Sequence, residues 1–204
     1  MLRAGHIAPE CKKLSWLAAG ILVAAFVILG YAARGIALAD LGMVQLVLSA
    51  SPVTAVGIIM LVAAMSGLLE EAAFRGYMQV TLEQRYHPAI AIVVVALIFA
   101  LVHPQPPVFI AIFMVGACNS GIVAYLANSI VPVIIIHALV DFTFLLWAYF
   151  NLESLESLLI LDIFESGMPG FIIFWAAVWL IAATAFLRVV LRLIKAKNRL
   201  AEAR

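Results

Sequence analysis

The chain has 204 residues, of which 67% are hydrophobic and only 11% are charged, and its mean hydropathy is +1.19. Soluble domains contain roughly 45–50% apolar and 25% charged residues, so this composition excludes an ordinary soluble globular protein. Apolar runs of about 20 residues have the length that a helix needs to cross a bilayer. No stretch alternates between apolar and polar residues over the length of a strand, which excludes a transmembrane β-barrel.

Six apolar segments follow one another along the chain and predict an all-α, polytopic transmembrane bundle. They are residues 14–33, 51–69, 88–103, 107–127, 131–150 and 170–190. The first follows a basic head without a convincing cleavage site, so we expect it to remain as a span. Because the chain contains no internal repeat and no linker, residues 1–204 are expected to form one integral membrane domain.

The net charge of +1 conceals a separation of charge along the chain. Residues 1–13 are basic, residues 151–168 are acidic, and the tail after Phe186 carries six basic residues against Glu202 alone. The positive-inside rule then predicts that both termini are cytoplasmic, which requires an even number of spans. We expect a multi-pass protein of a bacterial inner (plasma) membrane, whose basic C-terminal tail contacts anionic lipid and binds no nucleic acid.

Six ionisable residues interrupt the apolar segments, where each charge costs at least about 2.5–3.5 kcal/mol and by default indicates a functional site. They are Glu70, Glu71, Arg75, His103, His137 and Asp141. Residues four apart share a helix face, which places Glu71 beside Arg75 and His137 beside Asp141.

A depth comparison along the chain predicts that these residues can meet. Glu71 and His103 lie equally far from His87, so an antiparallel hairpin that reverses there places both about 24 Å from the turn. His137 reaches the same depth if residues 75–87 protrude by about 12 Å into the cytoplasm. The sequence therefore predicts one polar site that is built from three spans.

Acids and imidazoles in a wet cavity suit hydrolysis. A carboxylate can take a proton from water that a histidine orients, while a second imidazole stabilises the oxyanion. Alternatively, a divalent metal such as zinc could lower the pKa of bound water to about 7, with Glu70, His103, His137 and Asp141 as candidate ligands. No HExxH motif is present, so the residues leave both mechanisms open.

Three motifs resemble those of the membrane-embedded CAAX-protease and bacteriocin-processing family, which is related to the endopeptidase that trims prenylated proteins. The EExxxR motif of that family corresponds to residues 70–75, FxxxH to residues 99–103, and HxxxN-or-D to residues 137–141, in the same order. The resemblance covers about residues 50–150. It implies an intramembrane endopeptidase that acts on a membrane-associated protein or peptide.

The resemblance also implies roles for the residues that match these motifs. Glu70 would be the base that activates water, Glu71 and Arg75 would be its paired support, and His103 would be the second group that holds the water.

The third motif would supply the oxyanion site, through His137 and Asp141. An ionised Asp141 can only accept hydrogen bonds, so it could instead orient His137 or bind a metal. Family members are usually described as metal-dependent, although a metal-free mechanism is also argued, and the cofactor therefore stays open.

Two other classes of function are compatible with the sequence. A non-catalytic partner-binding, immunity or scaffold protein could keep the same fold and polar site without hydrolysing peptides. A proton-coupled transporter also uses buried acids and histidines. Six spans without repeats of broken helices argue against the transporter.

Overall fold

The computed structural model describes residues 3, 7, 9, 11–18, 20–21, 47, 49–103, 107–150 and 169–202. The regular elements among these residues are helical, which confirms the all-α prediction. They are α1 (Pro52–Glu71), α2 (Gln79–Glu83), α3 (Pro88–Val102), α4 (Pro107–Ala127), α5 (Val131–Phe150) and α6 (Pro169–Glu202).

Two of the helices begin with the same local signal. At α1, the Ser51 hydroxyl accepts a hydrogen bond from the Thr54 N–H at 3.3 Å, and proline follows the cap. At α3, the His87 ring accepts from the Ala89 N–H at 3.3 Å, again before a proline. Both caps satisfy an N–H that lacks a helical partner, and proline has no N–H to lose there.

A π-helical segment, Ala72–Met78, joins α1 to α2. The Gln79 N–H donates to the Phe74 carbonyl, five residues earlier, so one extra residue is accommodated in the turn. Residues Pro52–Glu83 thereby form one continuous helical stretch. Single π-helical turns inside α-helices often lie at functional sites, and this one carries Arg75.

Among the residues that the structure describes, two helical stretches are long and apolar enough to cross a membrane, Pro52–Glu83 and Val131–Phe150. The apolar helices Pro88–Val102 and Phe113–Ala127 are shorter. Most of the predicted span 14–33 and the acidic segment 151–168 lie outside the described residues. Six spans and two cytoplasmic termini therefore stay predictions.

A close helix crossing positions the polar residues. Helix α1 packs along α5, and α3 packs along α4. A Cβ atom added to Gly67 of α1 would lie 2.8 Å from the Ala138 nitrogen and 2.8 Å from the Ile134 oxygen. Glycine therefore lets the two backbones approach, as small residues do between membrane helices. This contact lies one turn before Glu70 and beside His137.

Residue 3 ties two distant parts of the bundle together. The Arg3 N–H donates to the Gly76 carbonyl at 3.3 Å, and the Arg3 carbonyl accepts from the Ile130 N–H at 2.9 Å. The Arg3 guanidinium also pairs with the Glu83 carboxylate. We call these four residues the N-terminal clasp, because they join the π-helical segment and α2 to the turn between α4 and α5.

The C-terminal helix ends beside this clasp. The Lys197 ammonium donates to the Tyr125 carbonyl at 3.0 Å and lies 3.8 Å from the centre of the Tyr125 ring. Partial burial, together with the nearby Arg3 charge, lowers the pKa of Lys197. The largest cluster of buried apolar side chains lies here as well, and it joins residues 11–18, the end of α4, the start of α5 and the second half of α6.

Candidate active site

Three helices bring one carboxylate oxygen and two imidazole nitrogens together. Glu70 Oε2, at the end of α1, lies 3.6 Å from His103 Nε2 and 3.7 Å from His137 Nε2. These separations are too long for direct hydrogen bonds and suit a bridging water. Within the described part of the chain, Glu70 Oε2 has no hydrogen-bond partner. The three atoms therefore define a place where a water molecule can be held.

A buried ion pair between Glu71 and Arg75 lies next to this water site and contacts His137. The Glu71 side chain is 1% exposed, against 30% for that of Glu70, so the two adjacent acids have different environments. Glu71 Oε1 lies 3.1 Å from Arg75 Nη1 and accepts from His137 Nδ1–H at 2.9 Å. The chain of contacts from Arg75 through Glu71 to His137 fixes the orientation of that imidazole.

Arg75 is itself enclosed by helices α3 and α4. Its Nη2 donates to the Ala117 carbonyl at 3.4 Å, and its guanidinium carbon lies 4.4 Å from the centre of the Phe99 ring. A buried charge is stable only when it is paired and surrounded in this way.

His103 is held by the aromatic residue of its own motif. His103 Nδ1–H donates to the Phe99 carbonyl at 2.6 Å, and the His103 ring packs 4.5 Å from the Phe99 ring and 5.1 Å from the Phe113 ring. In a neutral imidazole whose Nδ1 carries the hydrogen, Nε2 is an acceptor. His103 can therefore accept a hydrogen bond from water at the side that faces Glu70.

Asp141 approaches the site from α5. Its Oδ2 lies 3.5 Å from His137 Nε2 and 2.7 Å from the Ser66 hydroxyl. The same hydroxyl lies 3.2 Å from Glu70 Oε1. Ser66 thus connects the acid of the first motif to the acid of the third.

The structure brings all six ionisable residues of the sequence analysis into one site, and their chemical roles stay predictions. The depth comparison paired Glu71 with His103, whereas in the structure His103 is next to Glu70 and Glu71 contacts His137. Three further contributors were not among the candidate site residues: Ser66, Phe113 and Ala117. Ser66 had a sequence signal, because it is a polar residue one helical turn before Glu70.

The candidate zinc ligands Glu70, His103, His137 and Asp141 all lie in this site. In the described ranges, no three His, Cys, Asp or Glu side chains are grouped so that one metal ion could bind them all. The metal ligands therefore stay a prediction, and we derive the chemistry from the side chains alone.

The described part of the chain is helical, has two helical stretches that are long and apolar enough to cross a membrane, and gathers acids and histidines in one site. Ionisable residues within such helices indicate a functional site. Residues 52–143 match the family model described as type II CAAX prenyl endopeptidase Rce1-like. That part of the chain, which contains all six site residues, is similar to this family, and the resemblance found from the motifs is confirmed. The chain matches no curated protein and no solved structure. The matched family is a family of membrane-embedded proteases of the CAAX type.

Proposed function

We propose that the protein is an intramembrane endopeptidase that hydrolyses a peptide bond in a membrane-associated protein or peptide. One observation carries this proposal: Glu70 Oε2 and the Nε2 atoms of His103 and His137 converge at 3.6–3.7 Å, in a site that is partly open. Such a site can hold water beside a base and can exclude most of the bulk solvent.

Water is activated between Glu70 and His103. The Glu70 carboxylate takes one proton from the water, while His103 Nε2 accepts a hydrogen bond from its other hydrogen and orients the oxygen. The water oxygen attacks the peptide carbonyl carbon and forms a tetrahedral oxyanion. Glu70 then returns its proton to the leaving amine, and the peptide C–N bond breaks.

His137 stabilises the oxyanion. Its Nδ1–H is committed to Glu71, so donation through Nε2 requires a proton on both ring nitrogens. The carboxylates of Glu71, Asp141 and Glu70 lie within 3.7 Å of the ring nitrogens and stabilise that charged form. A charged donor placed where negative charge develops lowers the barrier more than it stabilises bound substrate.

The proposal also includes the membrane in which the protein lies and the side from which the substrate reaches the site. We place the chain in a bacterial plasma membrane with the site near its cytoplasmic side, because the basic ends are predicted to be cytoplasmic. The substrate then reaches the site from the membrane or from its inner surface.

Comparison of protein termini in cells tests this function. Cells that produce the wild type, Glu70→Gln or His103→Asn at matched levels are compared by mass spectrometry of membrane and secreted peptides. His87→Asn is the matched control, since His87 is exposed in the turn before α3 and asparagine keeps its capping role. We expect new termini with the wild type and with His87→Asn, and none with the two site variants.

Purified protein in lipid nanodiscs then cleaves a peptide that spans the new terminus. Glu70→Gln should lower kcat by at least about 100-fold, because it removes the base without changing the side-chain shape. Full turnover by folded Glu70→Gln protein would refute the assigned base. Termini that do not depend on the wild type would favour the partner-binding or scaffold alternative, and a flux driven by a pH gradient would favour the transporter.

A further inference from the structure

Ser66 lies between the two acids of the site and belongs to none of the three motifs. Its hydroxyl oxygen is 2.7 Å from Asp141 Oδ2 on α5 and 3.2 Å from Glu70 Oε1 on its own helix. Gly67, the next residue, makes the close contact with the α5 backbone that brings Asp141 within reach.

A hydroxyl carries one hydrogen, so Ser66 donates to one carboxylate at a time. The shorter contact, with Asp141, anchors the hydroxyl, and the longer one leaves it beside Glu70 Oε1. The two carboxylate oxygens of Glu70 therefore have different contacts. Oε1 is held by Ser66, while Oε2 remains directed at the two imidazoles.

We propose that Ser66 is a positioning residue of the hydrolytic site, which links Asp141 to Glu70 and keeps Glu70 Oε2 aimed at the reactive water. This proposal rests on the proposed function. It assigns Asp141 the task of anchoring Ser66, in addition to its place beside His137. Ser66 itself touches neither the water nor the peptide.

Steady-state kinetics on the peptide found above test this role. Ser66→Ala should lower kcat by about 10–100-fold with KM unchanged, as expected when a supporting hydrogen bond to a reactive group is lost. Ser66→Thr keeps the hydroxyl and should recover most of the loss. Ser120→Ala on α4 makes the same change away from the acids and should turn over like the wild type.

A double-mutant cycle with Asp141→Ala separates positioning from simple packing. If Ser66 acts through the link to Asp141, Ser66→Ala lowers kcat by a clearly smaller factor in the Asp141→Ala background than in the wild type. Equal factors in both backgrounds overturn the link, and so does an unchanged kcat of the Ser66→Ala variant. The link is also overturned if both Ser66→Ala and Ser66→Thr lower kcat and if the melting temperature falls in parallel with kcat. If Glu70→Gln retains activity, the proposed function fails instead.

A separate feature lies on the second half of α6. Arg188, Arg192, Lys195 and Arg199 are exposed, and their spacing of four, three and four residues places them on one helix face. We call these residues the basic stripe. An exposed apolar row, Leu187, Leu191 and Ile194, runs beside it, while Leu193 on another face is fully buried in the core.

Helix α6 is long enough to carry this stripe beyond the hydrocarbon core of a membrane. The helix has 34 residues, which corresponds to about 51 Å at 1.5 Å per residue and exceeds the roughly 30 Å of a hydrocarbon core. If its apolar first half spans the membrane, the basic stripe emerges at the headgroups. Cations beside exposed leucines combine headgroup attraction with contact to acyl chains.

We infer that the basic stripe binds anionic phospholipid headgroups, and thermal unfolding in detergent tests this. Phosphatidylglycerol should raise the melting temperature of the wild type more than phosphatidylcholine does. The double variant Arg192→Gln, Lys195→Gln should lose most of this difference between the two lipids. The control Lys12→Gln, Lys13→Gln removes the same charge from exposed residues near the N-terminus and should keep the difference. Equal responses of the two variants, or no preference in the wild type, would overturn the inference.

Discussion

Two adjacent glutamates illustrate how environment assigns chemistry at the scale of single residues. Glu71 is enclosed with Arg75, whereas Glu70 is open to the imidazoles. The motif identifies both acids, but the sequence does not show which of them faces the water. No residue pattern predicted the π-helical segment that begins directly after Glu71. Ser66 was missed because a single serine in an apolar helix is usually unremarkable.

The buried Arg75 should be required for stability. Arg75→Met removes the arginine partner of the buried Glu71 carboxylate and leaves it only the contact with His137, and we expect the free energy of unfolding to fall by about 3–5 kcal/mol. Glu71→Gln added to Arg75→Met should restore much of that stability, because no buried charge remains, but it should not restore activity. Denaturation by detergent titration measures both. Arg85→Met, at an exposed position, is the control, and an equal loss in that variant would contradict the argument.

His137 should contribute to the transition state and not to substrate binding. His137→Ala removes the oxyanion donor, and we expect kcat to fall by about 100–1000-fold with little change in KM. The measurement uses the same peptide substrate with His87→Ala as the control for loss of an imidazole. A rise confined to KM would show that His137 binds the substrate and does not stabilise the oxyanion.

Helix positions followed from the sequence more directly than helix contacts did. The predicted segments 51–69 and 88–103 start within one residue of α1 and α3, because the signals that begin a helix are local. The predicted span 51–69 ends well before the helical stretch does, since the π-helical segment continues it to Glu83. Helix α4 carried no motif, yet it contacts Arg75 through a main-chain carbonyl, and a main-chain contact leaves no signature in side-chain identity.

The crossing of α1 and α5 depends on Gly67. Gly67→Ala would push a methyl group to within 2.8 Å of the α5 backbone, and we expect a loss of about 1–3 kcal/mol of stability together with loss of activity. Gly57→Ala on the same helix meets nothing within 4 Å and should be neutral or slightly stabilising, because alanine favours helix. Similar melting temperatures for the two variants would disprove the close crossing.

At the scale of the whole molecule, both ends of the chain meet at one end of the bundle. Arg3 and Lys197 both lie over the Tyr125 ring, at 5.6 and 3.8 Å. This proximity is compatible with the prediction from the charge pattern that both termini are on one side of the membrane. Composition and charge could predict the all-helical class of the protein, whereas two cytoplasmic termini stay a prediction. They could not predict the N-terminal clasp, because two of its three links are main-chain hydrogen bonds.

The ion pair of the N-terminal clasp offers a test of this assembly. The Arg3 and Glu83 side chains are largely buried, so Arg3→Glu places two acids together and should lower the free energy of unfolding by about 3–5 kcal/mol. Glu83→Arg should do the same by placing two bases beside Lys197. The double exchange restores an opposite pair and should recover most of the loss, whereas Lys12→Glu, at an exposed site, should cost little. If the double variant is as unstable as the sum of the single variants, Arg3 does not bind Glu83. Recovery would instead show that the first residues of the chain hold the π-helical segment, and with it Arg75, against the rest of the bundle.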